Sequence, residues 1–427
     1  MSSADRDNTP LRVLVIAPHS FYIDRGTPID VDILLRALAE RGCTVDLACY
    51  HDGQGRDYPG LTIHRIEPGE GNLANIGPGF SGKKLKADRL LYRLAKKLVC
   101  ENDYDVVHAG EEAVFMAMRI QRKLGVPYVY DMDSSIAQQM VEKMPWLKPV
   151  AFGFNWFEGR AIRKAVACAP VCHALGDLAK ARGARHYEVL HDISQIDPDS
   201  LTSDGALRAE RGLTGPVFMY VGNFEPYQGV ELLLRGFAES MKRGTKADLV
   251  IAGGSDEHLA EYRLKASGLG LDGHAHFIGR WPVDELGDLL AQADVLVAPR
   301  TRGINTPQKI FPYMHSGKAV LLTDLPTHTQ IVDAEVCMLG EPTPAGFADA
   351  IDTLATDADL RARLGAAGRA FVEKDHVFAA HRRRVDRLYD YVESRLPGRP
   401  SPAAGPARAS DPDPTPNPKS DLAETTA

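Results

Sequence analysis

The sequence predicts an α/β protein built from two doubly wound, Rossmann-like domains that face each other across a cleft. Three observations carry this reading. Short, continuous β-branched runs alternate with stretches of helical periodicity, as buried parallel strands alternate with crossover helices. The alternation breaks once, over a polar stretch rich in Asp, Ser and Gly between His191 and Gly215, and restarts at Val217. Between Asp294 and Asp324, two apolar strands (Val295–Ala298 and Ala319–Leu322) flank a loop and a helix, which makes a βαβ unit.

Composition narrows the possibilities. A chain of 427 residues is long enough for two or three domains, and 44% hydrophobic with 25% charged residues is ordinary for a globular protein. The net charge of -7 gives no basic field, so nucleic acid is not expected as a partner. The six cysteines form no CxxC pair and mostly sit in apolar runs, as reduced core thiols do. The start, MSSADRDNTP, is polar and unlike a signal peptide. No apolar run is long enough to span a bilayer. A cytoplasmic protein is expected. After Leu396 the chain is rich in Pro, Ala and Asp, so a disordered tail is expected over 396–427.

The elements follow in order. Leu11–Ala17 is a buried strand, and a loop with Arg25, Gly26, Thr27 and Pro28 leads into a helix over Asp30–Arg41. Thr44–Tyr50 is the next strand; this opening lacks the GxGxxG spacing of a tight dinucleotide site. Leu61–Ile66 alternates like an edge strand. The basic helix over 83–99 places leucines at 91, 94 and 98 on one face and seven cations around the rest, a pattern that fits an anionic membrane surface or a solvated helix. Asp105–His108 is a strand with His108 at its carboxyl end, where ligands of parallel sheets bind. Tyr128–Asp131 is another, with Asp131 and Asp133 placed to hold a hydroxyl or to cap a helix. Val171–Ala174 and Glu188–Leu190 read as the last short strands.

The predicted boundaries are a first domain over 10–195, a linker over 196–214 and a second domain over 215–375. A final helix, 376–395, completes the first domain. In the second domain Val217–Val221 is followed by the loop GNFEPYQG, Leu249–Ala252 by Gly253 and Gly254, and Ala275–Ile278 by Gly279. Small residues at successive strand ends leave room for a ligand at that edge. Asn305, Thr306 and Pro307 look like a helix cap followed by proline at the first helical position, and Gly317 like a C-cap. Arg300, Arg302 and Lys309 surround that start, so a phosphate site is expected there.

With VGNFEPYQG, AGG, FIGRWP and GINTPQKIFPYMHSGKAVLLTD in this order, residues 11–393 resemble the retaining GT-B glycosyltransferases of family 4. The resemblance implies that the second domain holds a nucleotide-diphosphate sugar and the first an acceptor hydroxyl, with neither metal nor cofactor. It implies that Gly222 and Gly229 shape the diphosphate loop, that Gly279 and Arg280 meet the base, and that Asn305 and Thr306 offer N–H groups to phosphate. It also puts His108 against the sugar or phosphate and the Gly26 loop over the sugar phosphate. The chain departs from the family where Arg and Lys usually stand in the diphosphate loop, since it has Asn223 and Gln228. It departs again at the paired glutamates, replaced by Ile304 and Pro312. Arg300, Arg302 and Lys309 are the expected compensation, Arg300 and Lys309 acting in catalysis with His108. The basic helix over 83–99 and the arginines of the last helix point to a lipid-linked or membrane-surface acceptor at the inner face of the membrane. Two other classes stay open: a non-catalytic GT-B subunit, and a nucleotide-sugar epimerase using Asp131, Asp133 and Glu111.

Overall fold

The computed structural model describes residues 9–23, 26–67, 76, 81–136, 151–203 and 205–397. Arg25, in the loop before the first helix, and the predicted tail beyond 397 lie outside them. The architecture is two α/β units, each with a six-stranded parallel sheet.

The first sheet holds β1 (Arg12–Ile16), β2 (Thr44–Cys49), β3 (Leu61–Arg65), β4 (Val106–Gly110), β5 (Tyr128–Met132) and β6 (Ala167–Pro170), in the order β3-β2-β1-β4-β5-β6. One face is covered by α1 (Gly26–Glu40), whose Leu34, Leu35 and Leu38 meet Val13, Val15 and Leu47. The other is covered by α2 (Gly82–Glu101), α3 (Ala113–Leu124) and α4 (Ala151–Lys164). The chain continues into α5 (His173–Ala181). The predicted strand at Val171–Ala174 is therefore displaced: β6 lies four residues earlier, and the segment from His173 is helical. Glu188–Leu190 forms no named strand, although Tyr187 bridges Cys168 and the Glu188 and Leu190 amides donate to Cys168 and Pro170 carbonyls.

The second unit starts with α6 (Ala206–Arg211), inside the stretch expected to be irregular. Its strands are β7 (Val217–Val221), β8 (Asp248–Ala252), β9 (Ala275–Gly279), β10 (Val295–Ala298), β11 (Ala319–Thr323) and β12 (Met338–Gly340), ordered β12-β11-β10-β7-β8-β9. Between them run α7 (Val230–Lys242), α8 (Asp256–Gly268), α9 (Leu286–Ala291), α10 (Ile310–His315) and α11 (Pro326–Thr329). After β12 come α12 (Pro344–Thr356) and α13 (Ala358–Asp375). Both sheets reverse their winding beside the first strand, between β1 and β4 and between β7 and β10. In open α/β sheets ligands bind at such switch points.

The last helix, α14 (Phe378–Ser394), crosses back to the first sheet and buries Val385, Leu388, Tyr389 and Val392 in its core. Each such side chain contributes about 1.5–3 kcal/mol when buried. Arg41 adds contacts to Asp386, Asp390 and Glu393 at 3.0, 2.7 and 2.9 Å, but solvent-accessible pairs give about 1 kcal/mol or less each. Apolar burial therefore dominates the docking of α14. Two of its arginines are also paired to carboxylates. Arg382 pairs with Asp386 and Arg387 with Glu188 at 2.5 Å. Only the Arg387 pair reaches the first unit, the Arg382 pair lying within α14, and Arg383 and Arg387 stay exposed.

Candidate active site

The second unit supplies a cationic wall at its switch point. Directly after β10, Arg300 is buried, with its guanidinium donating to Arg302 O at 2.7 Å and Asn305 Oδ1 at 2.9 Å. It lies over the Tyr227 ring, 5.3 Å from the centroid. Gly303 makes the space: a Cβ there would come 2.2 Å from Arg300 Nη2, and the backbone has φ of 122°. Lys309 reaches from the next turn back to β7. Its Nζ donates to Tyr220 Oη at 3.0 Å and sits 4.1 Å from that ring's centroid. Here Gly222 makes the space, since a Cβ would stand 2.4 Å from Lys309 Nζ. Burial, with Arg300 nearby, pulls the Lys309 amine down to about 7. Tyr313 closes the end of β7 by accepting from Val221 N at 2.7 Å and donating to its carbonyl at 2.9 Å.

The first unit supplies an acidic wall at its own switch point. His108, on β4, is 1% exposed and has both ring nitrogens engaged, Nδ1 with Tyr389 Oη at 3.0 Å and Nε2 with Asp131 Oδ2 at 3.2 Å. It therefore has no nitrogen left for a sugar. In place of the expected contact with a sugar or phosphate, the ring links Asp131 to Tyr389 of α14. Burial, with Asp131 and Glu111 close by, holds the Asp133 carboxyl well above its ordinary range, while a hydrogen bond from Thr27 opposes the shift. Asp30 is raised in the same way, by burial and then by Asp192 and Asp133. Asp192 is pushed to about 7 by burial, and its Oδ1 has no partner.

The two walls touch. Gln308 Nε2 donates to Asp30 Oδ1 at 2.6 Å, and Gln330 Oε1 accepts from Ala174 N at 3.3 Å. Gly26, at the start of α1, has Gln308 Oε1 3.5 Å from the point where a Cβ would be.

The fates of the other predicted residues differ. Asn305 and Thr306 do not start a helix: α10 begins at Ile310 and is six residues long. The Asn305 side chain is committed to Arg300, and the Ile310 amide already donates to Pro307 O in a preceding turn. Thr306 is buried with its hydroxyl unpartnered. Pro312 is the third residue of α10, in a first turn where a missing N–H costs little. Gly253 and Gly254 were expected to leave room for a ligand, and Gly229 to shape the diphosphate loop. Instead a Cβ at Gly229 would meet Pro299 O at 1.8 Å, at Gly253 the Gly222 O at 2.0 Å, and at Gly254 the Phe224 ring at 2.9 Å. These three let neighbouring loops cross. Gln228 is buried in a 3-10 turn, Pro226–Gln228. Asn223 is exposed, with Oδ1 accepting from Glu225 N. Arg302 and Arg280 are exposed, the latter 3.3 Å from Gly254 O. Sequence reasoning missed Tyr220, Tyr313 and the Asp30–Gln308 contact. The tyrosines sit in apolar runs that read as core, and the contact joins residues 278 apart.

Two Rossmann-like units meeting at their switch points make the GT-B architecture. Residues 26–191 match the Glycosyl transferase 4-like domain and residues 207–371 match Glycosyl transferases group 1. The chain belongs to the GT-B glycosyltransferases of the family 4 type. A phosphatidyl-myo-inositol mannosyltransferase of Mycolicibacterium smegmatis is 23% identical over 364 residues, spanning 82% of this chain and 86% of its own. An alpha-D-kanosaminyltransferase of Streptomyces kanamyceticus is 24% identical over 314 residues, spanning 69% and 78%. Among solved structures, sucrose-phosphate synthase from Thermosynechococcus elongatus superposes with a TM-score of 0.71 at 17% identity, over 89% of this chain and 98% of that one. HepE of Anabaena, in complex with UDP and glucose, superposes with a TM-score of 0.68 at 16% identity, over 89% and 99%. At these identities the structural likeness speaks to the fold.

Proposed function

We propose that this glycosyltransferase moves a sugar from a nucleoside-diphosphate sugar to an acceptor hydroxyl, with retention and without a metal ion. The observation that carries the donor half is the pairing of Arg300 and Lys309 at the β7/β10 switch point, each seated where a glycine leaves space. A departing diphosphate gains negative charge, and preorganised cations that meet it are usually the largest catalytic contribution. The HepE structure holding UDP and glucose supports a nucleotide donor for this fold. Retention rests on the family resemblance: the acceptor attacks from the face that the diphosphate leaves, and the leaving phosphate takes its proton. Asp133 and Asp30 line the acceptor side, where protonated carboxyls can both donate to and accept from hydroxyls. The retained cation pair disfavours a subunit that has lost its ligand.

The acceptor is lipid-linked in this reading, and the enzyme works at the cytoplasmic face of a membrane. The relative named for phosphatidyl-myo-inositol supports this. So does the surface over α2, α3 and α4. Lys83, Lys86, Arg89, Arg93, Lys96 and Lys97 are exposed on α2 together with Leu85, and Phe152, Trp156 and Phe157 are exposed on α4. Phe157 packs edge-on to Phe115 of α3, 6.2 Å between centroids, which joins the two areas. Cations beside interfacial aromatics suit an anionic bilayer. Binding to vesicles containing anionic lipid should weaken with salt and fall further in Lys83→Glu/Arg93→Glu. Binding indifferent to both changes would remove the membrane.

The donor is tested by thermal shift with UDP, GDP, ADP and dTDP on the wild type and on Arg300→Ala/Lys309→Ala. One nucleotide should raise the midpoint of the wild type and not of the variant. Equal shifts in both would place the diphosphate elsewhere.

A further inference from the structure

Lys309 stands in unusual company. Its Nζ is anchored by a phenol, Tyr220, whose own proton goes to Asn223 O at 2.5 Å. Tyr220 Oη therefore accepts from the lysine and brings no charge. The other titratable groups around it are Arg300, directly after β10; Tyr227, beneath Arg300; Tyr313 of α10, tied to Val221 in both directions; and His328 of α11. His328 is buried and held neutral, near 4, by burial. Among the described residues no carboxylate forms an ion pair with Lys309. A cation without a counter-charge in a half-buried wall is costly, and a lysine escapes that cost by giving up its proton.

The amine also stands where the chain is deficient. Asn223 and Gln228 occupy the loop positions where family members carry cations. Lys309 reaches that loop from the opposite side of the switch point, entering the volume that Gly222 leaves empty.

We propose that Lys309 is this chain's diphosphate-binding cation, replacing the missing loop cations, and that it is charged by its ligand. Binding of the nucleoside diphosphate draws one proton from solvent onto the amine, and product release returns it. The inference rests on the donor reading above. It adds that donor affinity is linked to pH through one identified nitrogen, weakening as the solution becomes alkaline.

The experiment is calorimetric titration of the full chain with UDP, GDP, ADP and dTDP at pH 8.5, where a free diphosphate is already fully ionised. It is run in Tris and in bicine, two buffers with different ionisation enthalpies. The nucleotide that binds should take up close to one proton, seen as a heat that changes with buffer. Lys309→Met should bind about ten- to a hundredfold more weakly, the value of one charged hydrogen bond, and show no buffer dependence. Lys309→Arg, which carries its charge permanently, should bind without uptake. Wild-type binding with buffer-independent heat overturns the inference while leaving the donor reading intact. Uptake that survives in Lys309→Met does the same. If none of the four nucleotides binds the wild type, the donor reading falls, and this inference with it.

Discussion

Gly303 and Gly229 both have positive φ, 122° and 76°, so an alanine at either is strained by roughly 1–2 kcal/mol. What a new methyl would meet separates them. At Gly303 it meets the tip of a long side chain, Arg300 Nη2, which can swing aside. At Gly229 it meets a backbone carbonyl, Pro299 O, which cannot move without the loop. Gly303→Ala is therefore expected to cost modest stability and much nucleotide affinity. Gly229→Ala should cost several kcal/mol of stability. Denaturation midpoints and nucleotide titrations on both variants check this; the opposite ranking would mean the loops are softer than their contacts imply. Asp192 offers a second residue-scale test. Its carboxyl ionises near 7 in the fold, against about 3.9 in an unfolded chain. Between those values the folded state holds the extra proton, so stability falls as pH rises through that window and is not regained above it. Asp192→Asn should thus gain on the wild type between pH 5 and pH 8 in thermal unfolding, and parallel curves would refute it. That Arg300 and Lys309 come together after β10 was legible as clustered cations past a strand end, although the helix start they were expected to surround is absent. Tyr220 was not, since an aromatic in a β-branched run looks like core whether or not its hydroxyl has work to do.

At the scale of elements, strands and long helices were legible because burial imposes their period. β1, β2, β7, β10 and β11 fall where continuous apolar runs place them. So does α14, whose Val385, Leu388 and Val392 recur at helical spacing. Short elements depend on contacts that no local pattern contains. α10 loses its expected first turn because Asn305 holds Arg300 rather than an amide, and β6 ends where a chain reads on as apolar into α5. The partner of Arg387 on α14 was hidden for the same reason, since Glu188 is nearly two hundred residues away. The packing of α14 predicts that Leu388→Ala costs about 2–5 kcal/mol, as large-to-small changes in cores do. Tyr389→Phe should cost less, removing one hydrogen bond to His108, yet lower turnover by freeing Asp131. Unchanged turnover in a stably folded Tyr389→Phe would detach α14 from the chemistry.

Across the whole molecule, two chain segments pass between the units and run against each other. Ser194 N donates to His376 O at 2.9 Å, and the His376 ring lies against Phe311 and Phe371 with centroids 4.6 and 4.9 Å apart. Burial keeps that imidazole near 3, hence neutral, so it serves as an apolar plate at the crossing. Such a crossing of two chain segments is where a hinge would form. Among the described residues, the side-chain contacts that span the cleft include Gln308 to Asp30 and Gln330 to Ala174. Both glutamines come from the segments around the cationic wall, so whatever occupies that wall also sets their position. A diphosphate seated on Arg300 and Lys309 would hold the Gln308 turn in place and favour the closed cleft. Gln308→Ala should then shift the free protein toward an open form, with a larger radius of gyration in solution scattering, and nucleotide should restore compactness only in part. Because the latch is one hydrogen bond worth about 1 kcal/mol, the open population should rise about fivefold rather than completely. Scattering curves that coincide for wild type and Gln308→Ala, with and without nucleotide, would show that the crossing segments and not the glutamines set the angle between the units.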